Sequence, residues 1–207
     1  MLYYEARNDR LRLRGIAMTE IETLALYTER LTLKVLDPSY AERVLDFYTR
    51  NREFLREWSP TTAEEFYTAA FHTEKLAGEL EWMREGGLLR VYLFSRADTA
   101  FERVLGIVAL NNVVRGAFQS CHLGYQIDEQ AANQGFMTEA LRRVIAYAFD
   151  QMRLHRIEAN IMPRNTRSRR VAEKLGLADE GLARKYLKIN GMWEDHIHYV
   201  ILNEAVE

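Results

Sequence analysis

The sequence is typical of one globular domain of ordinary size. It has 207 residues, of which 48% are hydrophobic and 28% are charged, and a chain of this length can bury a substantial core. Its 28 Lys and Arg residues nearly balance its 30 Asp and Glu residues, and the net charge of -2 argues against a dedicated nucleic-acid-binding protein.

The sequence also does not indicate a membrane or secreted protein. It contains no apolar run near the roughly 20 residues that cross a bilayer, and its first residues lack the apolar core of a signal peptide. The single cysteine, Cys121, excludes an internal disulfide and fits a reducing compartment. A catalytic thiolate at Cys121 is disfavoured, because its strand-like surroundings offer no activating partner. We therefore expect a cytoplasmic protein without membrane contacts.

The first residues differ in pattern from the rest of the chain. Leu11 and Leu13 alternate with arginines, which is compatible with an edge strand or with an unstructured extension before an alternative start at Met18. The sequence therefore predicts an N-terminal extension of uncertain order at 1–17 and a single domain at 18–207.

The next predicted elements are one strand and two helices. Alternating apolar residues predict a strand within 27–36, and Asp-Pro-Ser at 37–39 ends it and starts a helix. An aromatic connector follows at 54–60. The threonines at 61–62 are the expected cap of a second long helix that ends at the glycines 86–87.

The remaining pattern predicts an α+β domain. A meander of three strands is expected first, and two helices and three further strands follow it. The predicted ranges, in chain order, are strands at 88–94, 104–114 and 119–127, a helix at 135–152, a strand at 155–162, a helix at 165–176, and strands at 182–189 and 193–202. Asn190-Gly191 between the last two strands is a strong hairpin signal. We thus expect one mixed sheet of about seven strands, without repeats or linkers.

The most informative stretch runs from Tyr125 to Leu141. A strand-like segment ends near Asp128, and an amphipathic helix begins directly after Gly135. The first N–H groups of a helix lack intrahelical partners and carry the positive end of its dipole, so they can bind a phosphate or pyrophosphate. Gly135 would let that group approach the backbone, although a glycine before a helix is more often only a turn residue.

A second stretch, from Arg156 to Gly176, strengthens this interpretation. Together, the two stretches resemble the GNAT superfamily of acyl-CoA-dependent N-acyltransferases, and within it the branch of ribosomal-protein N-terminal acetyltransferases. The predicted order of elements is that of the GNAT fold, so the resemblance covers residues 29–202. It implies a twisted, mostly antiparallel mixed sheet with helices on both faces and a V-shaped split between two strands.

The resemblance also implies that acetyl-CoA is the cosubstrate and that no metal is needed. In the superfamily, backbone amides of a Gln/Arg-x-x-Gly-x-Gly/Ala segment hold the pyrophosphate; here Gly135 matches, while Ala132 and Met137 depart. Thr138 would add a hydroxyl to the phosphates or simply cap the first turn. The residues expected to bind the cofactor are Gln126, Ile127, Gln134, Gly135, Phe136, Met137, Thr138, Asn165 and Ser168. At 126–127, the backbone would pair with the pantetheine arm as an added strand.

The implied chemistry is direct attack of a neutral amine on the thioester, without a covalent enzyme intermediate. A protein α-amine titrates at roughly 7.7–8.0, so a weak base suffices, whereas a lysine near roughly 10.4 needs a stronger one. Ser168 is expected to donate a hydrogen bond to the departing sulfur. Its alternative is a solvated residue of an arginine-rich helix.

The general base is not identified by the sequence. Some superfamily members place a glutamate on the fourth or fifth strand, but the fifth-strand position is Asn160, which cannot accept a proton. His122 is the candidate, because an imidazole titrates near neutral pH, and its alternative is a packed or surface histidine. Glu158 acting through water is less favoured than Glu158 in a surface ion pair.

Two further stretches resemble the ribosomal-protein branch. The stretch 112–118 borders the acceptor groove in that branch. Tyr186, Trp193, Asp195 and His196 are expected at the mouth that admits a peptide, or alternatively in a cross-strand aromatic cluster, which is the preferred place for Trp193. Tyr186 is the third catalytic candidate, beside Ser168 and His122. A metal site or triad at Asp195-His196 is rejected, because no third ligand or nucleophile accompanies it.

We therefore predict an acetyl-CoA-dependent N-acetyltransferase acting on the N-terminal α-amine of a ribosomal or other protein. A small-amine acceptor, such as an amino acid, polyamine or antibiotic, remains an alternative. So does a non-catalytic acetyl-CoA-binding interaction protein, since Asn160 replaces the glutamate. A peptide acceptor predicts an open groove and a small-amine acceptor a closed acidic pocket. Direct nucleic-acid binding is not expected, and both a monomer and a homodimer are compatible with the sequence.

Overall fold

The computed structural model of the chain describes residues 21–206. The predicted extension at 1–17 lies outside the described residues, so its boundary with the domain stays a prediction. The described strands are β1 (Ala25–Tyr27), β2 (Leu31–Lys34), β3 (Leu89–Ser95), β4 (Gly106–Val114), β5 (Ser120–Ile127), β6 (Arg156–Ile161), β7 (Ala178–Ile189) and β8 (Met192–Leu202). The α-helices are α1 (Ala41–Arg50), α2 (Arg52–Arg56), α3 (Ala69–Arg84), α4 (Phe136–Asp150) and α5 (Thr166–Lys174).

These strands form one eight-stranded sheet in the order β1-β2-β3-β4-β5-β6-β8-β7. Within the described range, the neighbours β5 and β6 are parallel and every other pair is antiparallel. The predicted mixed, mostly antiparallel α+β sheet is therefore confirmed. It has one strand more than expected, because a tight turn breaks the first predicted strand: Leu31 N donates to Thr28 Oγ1 at 2.9 Å and Thr28 N donates to Leu31 O at 3.0 Å.

Helices cover both faces of the sheet. Successive residues of a strand point to opposite faces, and β3 follows this rule with two apolar sets. Val91 belongs to the cluster that contains Leu141 of α4, while Tyr92 belongs to the cluster that contains Phe47 of α1 and Leu76 of α3. Each such fully buried apolar side chain contributes about 1.5–3 kcal/mol of hydrophobic stabilisation.

The second long helix begins later than predicted. Thr68 caps α3 by accepting a hydrogen bond from Phe71 N at 3.3 Å, whereas 64–67 form a separate 3-10 turn. Thr68 Oγ1 also donates to Glu65 O at 2.7 Å, which joins the turn to the helix. The predicted connector at 54–60 is also partly helical, since it contains the end of α2.

Two irregular positions agree with the sequence pattern. Asn112 has a φ of 51°, and the register between β4 and β5 shifts between Asn111 and Val114, so the two asparagines mark a β-bulge. Asn190 and Gly191 have φ values of 46° and 79°, the positive pair that a two-residue hairpin turn requires. Of the described helices, none is long and apolar enough to span a membrane.

Candidate active site

A split opens between β5 and β6. The two strands pair over three residues each, Ser120–His122 with Arg156–Glu158, and the rest of β5 and β6 is unpaired along the edges that face each other. Backbone groups on these edges are therefore available to a ligand that can pair with a strand. His122 and Glu158 form the last paired rung and lie at the apex of the split.

A cavity of about 580 Å³ occupies this split. Its lining includes eight of the nine residues predicted to bind the cofactor. The ninth, Gln134, is exposed and is not part of the lining; its carbonyl accepts from Arg30 Nη1 at 3.0 Å and its side-chain amide donates to Gln130 O at 2.7 Å. The structure thus brings the predicted residues together, and their binding role stays a prediction.

The start of α4 is open to an anion. Gly135 is the N-cap residue with a φ of 80°, and no side chain caps this helix. Its first amide groups therefore keep their capacity to donate hydrogen bonds into the cavity. By contrast, Asn165 Oδ1 accepts from Ser168 N at 3.1 Å, so a side chain caps α5.

Arg30 stabilises the loop before α4 and was not identified from the sequence. Its guanidinium lies 4.4 Å from the centre of the Phe136 ring, and its Nε donates to Glu139 Oε2 at 2.7 Å. Burial raises the pKa of Glu139, but hydrogen bonds from Thr28 and Arg30 outweigh burial and hold that pKa below its usual value. No spacing signal reveals this pair, because 109 residues separate its members.

Tyr125 connects the two sides of the split. Its hydroxyl, on β5, donates to the Ser168 carbonyl on α5 at 3.1 Å, and burial raises the pKa of Tyr125 to about 12, so the hydroxyl remains a donor. Ser168 lines the cavity, and a hydrogen bond between the Tyr125 and Ser168 side chains partly offsets the effect of burial on the Tyr125 pKa. The Ser168 hydroxyl therefore lies at the cavity beside the hydroxyl of Tyr125.

A charged cluster stands at the apex. Glu158 Oε1 lies 2.8 Å from His198 Nδ1 and 3.7 Å from His122 Nε2, while Glu158 Oε2 accepts from Arg156 at 2.9 Å. Burial raises the pKa of Glu158, but the hydrogen bonds from Arg156 and Asn160 and the charge of His198 outweigh burial. The pKa of Glu158 is therefore below its usual value, and Glu158 is an anion. Its side chain is 12% exposed; the expected surface ion pair is in fact mostly buried.

His122 and Tyr186 lie beside the cavity rather than in its lining. The Tyr186 hydroxyl is 3.4 Å from Asn160 Nδ2, and its ring packs against His198 and His196 at centroid distances of 4.9 and 5.7 Å. These rings form the cross-strand cluster. Trp193 is not part of it, because that side chain is 60% exposed; its expected place in the cluster was wrong.

The rejected chemistries find no support in the described residues. Asp195 Oδ1 accepts from Lys185 N at 2.8 Å rather than from His196, and no group of three His, Cys, Asp or Glu residues in that part of the chain can hold a metal ion. Cys121 is buried, and burial raises the pKa of its thiol to about 12. Cys121 is therefore not a reactive thiolate.

The cavity has a basic lining. Its Arg and Lys side chains are Arg167, Arg170 and Lys174 on α5 and Arg90 on β3, and among the described residues no Asp or Glu contributes to it. The acidic pocket expected for a small-amine acceptor is thus not found within 21–206. Aromatic rings also line the cavity. Tyr48 lies near Arg90, whereas Trp58 lies against Arg164 and Phe54 against Arg167 of α5.

Comparison with known proteins agrees with this geometry. Residues 30–178 match the family model described as an acetyltransferase (GNAT) domain. The chain is 39% identical over 171 residues to the probable N-acetyltransferase YjcK of Bacillus subtilis (strain 168), covering 83% of this chain and 93% of the relative. It is 34% identical over 179 residues to the [ribosomal protein uS5]-alanine N-acetyltransferase of Escherichia coli (strain K12), covering 86% and 91%.

A solved structure, Mycobacterium smegmatis RimJ in complex with CoA-disulfide, superposes with a TM-score of 0.79 at 26% identity and covers 85% of this chain and 83% of that one. The chain therefore belongs to the GNAT acetyltransferase family. It is an N-acetyltransferase related to the ribosomal-protein alanine acetyltransferases, as the sequence resemblance predicted.

Proposed function

We propose that the enzyme transfers the acetyl group of acetyl-CoA to the N-terminal α-amine of a protein, with ribosomal proteins as the first candidates. The observation that carries this choice is the cavity lining, which is basic and aromatic and, within the described range, free of carboxylates. A polyamine or an aminoglycoside would need acidic groups to offset its charges. The Escherichia coli relative, which is named for acetylation of a ribosomal protein, supports the same acceptor class.

The residues present fit acetyl-CoA, which supplies an activated acetyl group and a good leaving group. The amides at the start of α4, at 136–138, would bind the pyrophosphate. The free edge of β5 at Gln126 and Ile127 would pair with the pantetheine amides, and Asn165 would add a polar contact. The basic residues of α5 in the lining would meet the 3′-phosphate.

Three groups carry the proposed chemistry. The neutral α-amine attacks the thioester carbonyl, a C–N bond forms and the C–S bond breaks. Ser168 Oγ donates a hydrogen bond to the sulfur as negative charge develops on it. His122, whose Nε2 lies 3.7 Å from Glu158 Oε1, takes up the proton that the amine loses. Tyr186 orients Asn160 beside this pair.

Free-thiol release from acetyl-CoA tests the proposal. The acceptors are N-terminal peptides of ribosomal proteins that begin with Ala or Ser, the same peptides with a blocked N-terminus, and a panel of small amines. We expect turnover only with free peptide α-amines, and mass spectrometry should locate the acetyl group there. Turnover with small amines alone would refute the peptide acceptor, and tight acetyl-CoA binding without any turnover would indicate a non-catalytic protein.

A further inference from the structure

The end of the cavity away from α5 contains a buried positive charge that the proposed chemistry does not use. Arg90 on β3 lines the cavity, although its side chain is only 17% exposed. Its Nη1 lies 3.0 Å from Glu79 Oε1, while its Nε is buried without a hydrogen-bond partner within residues 21–206. A buried donor without a partner is costly, so this guanidinium is suited to a ligand.

The cluster around Arg90 has one positive charge in excess. Lys75 Nζ lies 2.5 Å from the same Glu79 Oε1, and in the described part of the chain neither cation pairs with a second carboxylate. Tyr92 donates to Glu79 Oε2 at 3.2 Å. Burial raises the pKa of Tyr48 to about 12 and that of Tyr92 well above its usual value, so both hydroxyls are neutral. One carboxylate therefore faces two cations.

The sheet register connects this charge to the split. Arg90 pairs with Ala109, and Ala109 pairs with Gly124 of β5, so the three residues form one rung across three strands. Ala109 and Gly124 both line the cavity and leave room above this rung. Neighbouring strands are about 4.8 Å apart, so the rung spans about 10 Å, or about three residues of an extended peptide at roughly 3.4 Å each.

We propose that Arg90 selects acceptor peptides that carry a carboxylate within three residues after the reacting amine. The peptide lies over Ala109 and Gly124 with its amine at the split, and its carboxylate forms an ion pair with the guanidinium. The aromatic side chain of Tyr48 beside this site keeps water away and strengthens the pair. This specificity rests on the proposed peptide acceptor.

The test is a series of Ala-initiated peptides of equal length with a single Glu at position 2, 3, 4 or 7, each matched by a Gln peptide. With the wild-type enzyme and acetyl-CoA, we expect kcat/KM to be about tenfold higher for Glu than for Gln at the best of positions 2 to 4. At position 7, Glu and Gln should be equal. Equal values at every position would overturn the proposal.

Variants separate recognition from folding. Arg90→Gln should abolish the preference for Glu, whereas Arg52→Gln, which removes an exposed arginine of α2 paired with Glu64, should keep it. Glu79→Gln removes the counter-charge and should increase the preference by several-fold. If Arg90→Gln does not fold, this opposite effect still tests whether Arg90 recognises the peptide carboxylate.

The outcomes also distinguish this proposal from the one on which it rests. Retention of the Glu preference in folded Arg90→Gln, or its loss in Glu79→Gln, contradicts the assignment of Arg90. Turnover of peptides without any charge preference overturns the specificity alone. Absence of turnover with every peptide overturns the peptide acceptor together with it.

Discussion

The two ends of the cavity are built from different parts of the chain. At the cofactor end, the predicted contacts are backbone groups of one short run, the edge of β5 and the start of α4, completed by the first turn of α5. At the other end, side chains of α1 and β3 meet, including Tyr48 and Arg90. Backbone groups are suited to binding the cofactor, which is the same in every reaction. Side chains can be substituted, so they are suited to determining which acceptor binds.

Substitution of Gly135 by glutamate has the largest expected effect. It tests whether backbone groups alone bind the cofactor at this end of the cavity. A side chain there is strained at a φ of 80°, and its Cβ would lie 3.4 Å from Arg30 Nη2. The added carboxylate would also repel a pyrophosphate. We expect acetyl-CoA affinity, measured by calorimetry, to fall by about 1,000-fold or more, which is about 4 kcal/mol.

Gly86→Glu is the matched control for this change. Gly86 has the same φ of 80°, a Cβ added there would meet no atom within 4 Å, and the residue follows α3 outside the cavity lining. Its substitution should leave acetyl-CoA affinity unchanged. Unchanged affinity in Gly135→Glu would refute the pyrophosphate site at α4.

The acceptor end should be the more sensitive to acid, because a buried histidine supports it. His72 is fully buried and stacks on Tyr48 at 5.4 Å, and burial followed by the charge of Lys75 lowers the pKa of His72 to about 4. Below its ordinary value of 6.5, the unfolded chain binds a proton that the folded protein does not. Because of His72, the free energy of unfolding should therefore fall by about 3 kcal/mol as the pH is lowered from 6.5 to 4.

Denaturant unfolding at a series of pH values checks whether the free energy of unfolding falls in this pH range. The free energy of unfolding of His72→Phe should fall less steeply than that of the wild type between pH 6.5 and pH 4, by about 3 kcal/mol in total. His155→Phe, on a partly exposed ring, is the control. Parallel pH curves for His72→Phe and the wild type would contradict the assignment.

Ser168→Ala tests whether the cofactor end also contributes side-chain chemistry. Loss of the hydroxyl should lower kcat by about 10- to 100-fold, since one donor to a developing charge is removed, while the Kd for acetyl-CoA should change little. Thr166→Ala removes a hydroxyl from the same helical turn outside the cavity lining and should have no effect. Equal rates for Ser168→Ala and the wild type would make Ser168 a solvated helix residue.

His122→Gln gives the smallest expected effect, because an α-amine is partly neutral at pH 7 without help. We expect about a tenfold decrease in kcat/KM. The decrease should shrink at low pH, because a protonated imidazole can no longer accept a proton, and a pH–rate profile measures it. A decrease of the same size at every pH would indicate a structural role for His122.

The sequence predicted the cofactor end better than the acceptor end, because its signals are local. Gly135 before a helix and Asn165 at the start of the next one act on their own neighbours along the chain. Arg90 has no such signal, because its role depends on Glu79 of a preceding helix and on the small residues opposite it in β4 and β5. Thr61, Thr62 and Thr68 are equally good helix caps by residue type, so the sequence does not show that Thr68 is the residue that caps α3.

The parallel pairing of β5 and β6 also concerns how the enzyme folds. Parallel neighbours require a crossover connection, and here this connection contains α4, whose first turn forms the proposed pyrophosphate site. The split and the anion site therefore arise together when the crossover closes. Pairing of strands that are distant in sequence is slow compared with hairpin formation. During refolding, acetyl-CoA binding should therefore appear when β5 pairs with β6, and not when the antiparallel strands on either side of them pair.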